Sequence, residues 1–341
     1  MSEEVVLDGG KKLASLTFPT ESGTVYEAAA EYLRPGGVTS GAKTGWSLLG
    51  RLWPSARPLR IPKVQFVSNG IELGYDDSGG PKREAVVLLH GLGSARSTWD
   101  PIVPVLDQWR TLAFDQRGHG ESSHASGTYS LEYYVPDVIA FCESVTDQPV
   151  VLVGHSLGGV VAASVAHSRP DLVRGLLLED PPMYRGEPGE ADRNPFLVVF
   201  ALLHQLVSDM QARQAPLEEY ELVLRTSPSP NGAGSFADVL GVDGTRARAR
   251  GLASLDPDVF LAAVDGSGLA GATPDAALSC PTLVLRADPA LGPAFTTEHE
   301  ARFRSTNPHA DVEMIHGASH FIHDEQPERF LLKLRRFLDA L

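Results

Sequence analysis

The stretch Val150-Val151-Leu152-Val153-Gly154-His155-Ser156-Leu157-Gly158-Gly159-Val160-Val161-Ala162-Ala163 constrains this chain more than any other. Its first four residues, apolar and mostly β-branched, read as a strand buried on both faces. Leu157 to Val165, rich in Ala and Val and broken only by a glycine pair, reads as a packed helix. Ser156 then stands on the turn between them. Gly-x-Ser-x-Gly in that setting is the nucleophile-elbow pattern, in which Gly154 and Gly158 flank a strained turn because neighbouring backbones pass too close for a Cβ. The N–H of Leu157, at the helix start, is then one donor to a developing oxyanion, and the helix dipole favours negative charge there. Glycine-rich strand-to-helix turns also occur in nucleotide-binding folds, but those carry Gly-x-Gly-x-x-Gly or a Lys-Ser/Thr pair, and neither is present at this turn.

Composition narrows the class. The chain has 341 residues, 43% of them hydrophobic, enough for one large α/β domain with an insertion or for two domains. A net charge of −14 argues against nucleic acid or an anionic membrane surface as a partner. Cys142 and Cys280 have no metal-ligand spacing, so reduced structural thiols are expected rather than a disulfide framework or a zinc site. The acidic start is followed by no apolar run, and no segment reaches about 18 uninterrupted apolar residues, so neither a signal peptide nor a membrane span is expected and the cytoplasm is the default.

Residues 1–62 read as an extension. Trp46, Leu48, Leu49, Leu52 and Trp53 form an apolar knot there, open to packing on the main domain, covering a sheet edge, or a subunit contact in a homo-oligomer. Val64 to Ser68 and Ile71 to Tyr75, joined through Asn69-Gly70, read as an antiparallel hairpin. Ala85 to Leu89 is a buried strand ending in His90-Gly91-Leu92-Gly93, a backbone loop suited to the second oxyanion donor. Leu92 N–H is the candidate, with Gly91 second, while His90 reads as a brace for the loop. Ser97 to Gln108 reads as a helix and Arg110 to Asp115 as a strand. Asp115, Arg117 and His119 then read as a self-bonded turn rather than as catalytic groups.

Ser130 to Val145 reads as an amphipathic helix kinked at Pro136, Val173 to Glu179 as a strand, and Thr282 to Arg286 as the next strand. Those two strands are separated by roughly a hundred residues, far beyond an ordinary crossover, so a helical cap is expected over 181–275, between core segments 63–180 and 276–341. Within it Pro195 to Met210 reads as a lid helix, interrupted by His204, Gln205 and Asp209, and Ser227 to Gly234 as a flexible link. Asp311 to Ile315 is the last strand. Pro327 to Leu341 is a closing amphipathic helix burying Phe330, Leu331, Leu334, Phe337 and Leu338.

Strands alternating with helices after a hairpin predict an α/β fold, a mostly parallel eight-stranded sheet covered on both faces, with the inserted helical cap. His90-Gly91-Leu92-Gly93, Asp115-Gln116-Arg117-Gly118-His119-Gly120, Gly154-His155-Ser156-Leu157-Gly158-Gly159 and Gly317-Ala318-Ser319-His320, in this order, resemble the α/β-hydrolase superfamily over about 63–341, cap excepted. The resemblance implies that His320, after the last strand, is the catalytic base, with His316 and His323 as rivals. It also exposes a departure. The usual acid, at the end of the seventh strand, aligns with Ala290. Asp288 can serve from a shifted loop or cap that turn. Asp180, at the end of the sixth strand in Glu-Asp-Pro-Pro, looks like the acid of zearalenone lactonases and pancreatic-type lipases, and is the preferred candidate.

What the resemblance then implies is acyl transfer: Ser156 attacks an ester-like carbonyl, Leu157 and Leu92 hold the oxyanion, His320 shuttles protons and Asp180 fixes its tautomer. No metal or organic cofactor is implied. The expected substrate is a hydrophobic carboxylic ester or lactone, with some of Phe196, Val198, Val199, Phe200, Leu202 and Leu203 lining its site. Thioester and carbon–carbon bond hydrolysis are the alternatives within the enzyme class, and a non-catalytic ligand receptor of the same fold is the alternative outside it.

Overall fold

The computed structural model describes residues 63–341 except 69, 80–82, 188–189, 191–193, 195, 230–231 and 233. The extension read over 1–62 lies outside the described residues. Eight strands form one sheet: β1 (Lys63–Ser68), β2 (Ile71–Asp77), β3 (Arg83–Leu89), β4 (Trp109–Phe114), β5 (Val150–His155), β6 (Val173–Glu179), β7 (Thr282–Arg286) and β8 (Asp311–Met314). Their spatial order is β1-β2-β4-β3-β5-β6-β7-β8. The β1–β2 and β2–β4 pairs are antiparallel and every later pair is parallel. β5 and β6, which end at the elbow and at Asp180, are therefore direct neighbours in the interior of the sheet.

Both faces of the sheet are buried, and the two-residue period of a strand sorts the side chains between them. Val87, Leu89, Val150 and Leu152 point to one apolar cluster, with α1 (Leu131–Val145) and α2 (Leu157–Ser168). Val86, Leu88, Val151 and Val153 point to the other. That second face is closed by α9 (Pro327–Ala340), whose Phe330, Leu334 and Leu338 recur every four residues and are buried, with Leu331 and Phe337 half-buried beside them.

One expected helix is absent. Residues 97–108 form two short 3₁₀ turns, Arg96–Trp99 and Val103–Val105. Pro101 and Pro104 each remove an N–H donor and disfavour the α conformation of the residue before them, so no continuous ladder can form. The fully buried Trp99 anchors the segment instead. Pro136, by contrast, is accommodated within the single helix α1.

Between β6 and β7 run α3 (Phe196–Ala212), α4 (Leu217–Thr226), α5 (Phe236–Ser254, interrupted at Gly241, φ 69°) and α6 (Asp258–Val264). α3 packs on α6 and α4 on α5. Ser235 and Asp238 form a reciprocal capping box at the start of α5. The link before it is pinned at its ends by a bridge between Pro228 and Ser235. Among the described residues no helix is long and apolar enough to cross a membrane. α7 (Thr297–Thr306) and α8 (Ile322–Glu325) complete the chain around β8.

Candidate active site

Ser156 sits between β5 and α2 with φ 52° and ψ −119°, a conformation that costs a non-glycine residue on the order of 1–3 kcal/mol. The neighbouring glycines make it attainable. A Cβ on Gly154 would run into the carbonyl of Gly158, and one on Gly158 into the carbonyl of Leu89 on β3. The turn is tied to the next strand by the Ser156 N–H, which donates to the Glu179 carbonyl at 2.9 Å.

Asp180, one residue past that carbonyl, is fully buried and also has positive φ, 40°. His320 Nδ1 lies 2.7 Å from its Oδ2. The rest of the carboxylate is held by backbone: Ala294 N–H donates to Oδ2 at 2.8 Å, and Phe295 and Ala287 donate to Oδ1 at 3.2 and 3.4 Å. The loop after β7 thus surrounds Asp180 with amides, where the resemblance led one to look for a carboxylate. Asp288 lies elsewhere. It accepts from Ala290 N–H at 3.0 Å and Gly317 N–H at 2.9 Å, bonds that hold its carboxyl below the usual range, and it faces the exposed His316.

His323, the other rival, is engaged in a second buried pair absent from the sequence reading. Its Nδ1 lies 2.9 and 2.8 Å from the two oxygens of Glu179, and its Nε2 lies 2.7 Å from Thr98 Oγ1. Burial alone pulls this imidazole down, but the charges of Glu179 and Asp324 and the Glu179 hydrogen bond outweigh it, and the pKa ends above its usual value. His155, between the two pairs, has its Nε2 2.9 Å from the His320 carbonyl. Burial and then the two nearby histidines drive its pKa well down, so it is a neutral donor.

On the other side of Ser156 lies the His90–Gly93 loop. A Cβ on Gly91 would stand 2.7 Å from His155 Nδ1 and 3.1 Å from Ser156 Cβ, so this loop needs its glycine to approach the elbow. The amides of Leu92 and Leu157 donate to no acceptor among the described residues. His90 has its Nδ1 2.8 Å from the Gly91 carbonyl, and its Nε2 accepts from Gln116 N–H at 3.1 Å. Both nitrogens of a neutral ring are used, in line with burial lowering its pKa to about 4. The side chains of the Asp115–His119 turn are likewise engaged, though mostly with residues outside the turn rather than within it. Arg117 grips Asp137 with two bonds, Asp115 binds the Arg96 guanidinium and the Glu121 amide, and His119 Nε2 accepts from Gly93 N–H at 3.3 Å.

Ser156 and His320 line one cleft of about 670 Å³ together with Leu92, Leu157, Tyr134 and Arg185. From α3, Phe196 and Phe200 also reach it, being one helical turn apart on one face, whereas Val198, Val199, Leu202 and Leu203 do not. The Phe196 ring stands 5.1 Å from that of His320. Tyr134 and Arg185 carried no signal in the sequence, since nothing local marks a residue as facing a cleft made by distant segments.

A model of the alpha/beta hydrolase family matches residues 86–332. The 2-(acetamidomethylene)succinate hydrolase of Mesorhizobium japonicum is 26% identical over 300 residues, covering 82% of this chain and 98% of that protein. The structure of a thermophilic esterase from Thermogutta terrifontis superimposes with a TM-score of 0.62 at 27% identity, covering 82% of this chain and 98% of that one. That of Est816, an N-acyl homoserine lactone degrading enzyme, gives a TM-score of 0.59 at 22% identity over 80% of this chain and 100% of that one, a likeness of fold.

Proposed function

The chain belongs to the alpha/beta hydrolase family, and from that premise we propose that it is a serine hydrolase cleaving a carboxylic ester or lactone of a fairly hydrophobic compound through an acyl-enzyme. The observation that carries this reading is the 2.7 Å contact of His320 with Asp180 at a cleft that also holds Ser156 on its strained turn. Ser156 Oγ attacks the carbonyl while His320 Nε2 takes its proton, and Asp180 holds the Nδ1–H tautomer and stabilises the imidazolium. The amides of Leu92 and Leu157, without an acceptor among the described residues, receive the oxyanion. His320 returns the proton to the leaving alcohol, which in a lactone stays tethered to the acyl group. Water then attacks by the same route, giving the acid and restoring Ser156. The apolar cleft favours a hydrophobic substrate, and the esterase structure at 27% identity favours an ester.

The test is labelling by a fluorophosphonate probe together with hydrolysis of p-nitrophenyl butyrate. Wild type should be labelled at Ser156 and turn over. Ser156→Ala should remain folded, resist labelling and lose at least about a thousandfold in kcat. Unlabelled wild type that binds ligands without turnover would place the chain among non-catalytic receptors of this fold and overturn the proposal.

A further inference from the structure

Most polar side chains lining the cleft have their bonds inside the protein. The Tyr129 hydroxyl donates to Asp256 at 2.6 Å and accepts from Ala125 N–H at 2.7 Å. Arg185 donates to the Pro293 and Ala294 carbonyls, each at 3.2 Å, and is paired with Glu190, also at 3.2 Å. Asn194 Oδ1 accepts from Phe196 N–H.

Tyr134 is different. It stands in the first turn of α1, is 2% exposed and lines the cleft, yet its hydroxyl has no hydrogen-bond partner among the described residues. Leaving such a group unsatisfied is costly, and phenylalanine would fill the same volume without that cost. Burial, reinforced by the Tyr129 hydroxyl, pushes its pKa well above the ordinary tyrosine value, so it remains an O–H donor.

We propose that Tyr134 is a specificity-determining residue whose hydroxyl donates to a second oxygen of the substrate, remote from the scissile carbonyl. The substrate is then an oxygenated ester or lactone carrying a ketone, hydroxyl or ether. That second group is neutral, because the guanidinium lining the cleft, Arg185, is already matched by Glu190 and no other Lys or Arg lines it among the described residues. The inference rests on the ester or lactone hydrolase reading of the same cleft.

The experiment compares wild type and Tyr134→Phe on p-nitrophenyl hexanoate and on its 4-oxo and 5-oxo counterparts. Wild type should favour an oxo ester. Tyr134→Phe should lose about tenfold in kcat/KM on that ester relative to the hexanoate, the equivalent of one hydrogen bond. The melting temperature should hold or rise, since no protein bond is removed. Equal loss on all esters, no loss on any, or a fall in melting temperature of several degrees would each overturn the assignment while leaving the hydrolase reading intact. A wild type that hydrolyses none of the esters and resists the fluorophosphonate would overturn both.

Discussion

Glu179 and Asp180, adjacent at the end of β6, each hold a different histidine from the segment beyond β8: Glu179 takes His323, on α8, and Asp180 takes His320, on the loop before it. Successive residues at a strand end point to opposite sides, and the two histidines are three residues apart, so the pairs form back to back around His155. One pair opens on the cleft, and the other is sealed against Trp99, with ring centroids 4.5 Å apart.

Replacing the acid distinguishes the two candidate carboxylates. Asp180→Asn should lower kcat by roughly 10⁴, because the amide no longer enforces the working tautomer of His320. It should also cost on the order of 1–3 kcal/mol of stability, since a new N–H₂ would face either the Ala294 amide and His320 or the Phe295 and Ala287 amides. Asp288→Asn should leave kcat nearly unchanged and cost about 1 kcal/mol, because an amide keeps only one of the two acceptor oxygens that the Ala290 and Gly317 N–H groups use. Steady-state kinetics on one ester with melting curves measures both, and a dead Asp288→Asn beside an active Asp180→Asn would reverse the assignment.

The sealed pair should appear in the pH dependence of stability. The folded pKa of His323 is raised, so its contribution is complete below the unfolded value near 6.5 and is lost as pH rises through the folded value. Glu179→Gln removes the partner charge and should destabilise by about 3–5 kcal/mol at pH 6, the cost of breaking a buried ion pair. The gap between wild type and variant should narrow toward pH 9. A gap independent of pH would mean that His323 is neutral throughout.

Acid should act through other histidines. Burial lowers His90 to about 4 and His119 to about 3, and holds His155 well below its usual value. The unfolded chain therefore binds protons that the folded one refuses, so the stability these rings supply is complete above about pH 6.5 and falls as pH drops toward 4. His90→Asn, whose amide can still donate to the Gly91 carbonyl, should flatten the slope of unfolding free energy between pH 6.5 and 4.5 by up to about 1.4 kcal/mol per pH unit. An unchanged slope would show that His90 is charged in the native state.

The glycine pair at the elbow should respond unequally to alanine. At Gly158 the new methyl meets the Leu89 backbone carbonyl, which no rotamer change can relieve, so the cost should lie at or above the upper end of the about 1–3 kcal/mol range of overpacking. At Gly159 the nearest atoms, Gly154 O and Pro181 Cβ, stand at 3.1 Å, and the gain in helix propensity of up to about 1 kcal/mol offsets the small adjustment. Melting temperatures rank the two. Equal losses would mean that the contact with β3 is not what excludes a side chain.

Much of this protein is local and so legible in the chain itself. The strands β6 and β7 occupy the residues that their apolar runs mark, the elbow falls on Ser156, and α9 buries the face that its period picks out, because each pattern depends only on neighbours in sequence. The 3₁₀ turns at 96–105 depart from expectation where prolines outweigh an apolar pattern. Tertiary structure decided what no window of sequence contains. It brought Asp180 to His320 across 140 residues, and it supplied the amides of Ala287, Ala294 and Phe295 that let a carboxylate be buried after β6. It set Glu179 on His323, and it left the Tyr134 hydroxyl without a hydrogen-bond partner among the described residues. Pairing and desolvation are properties of groups that meet in space, and the order in which β5, β6, β7 and β8 stand side by side is what makes these groups meet.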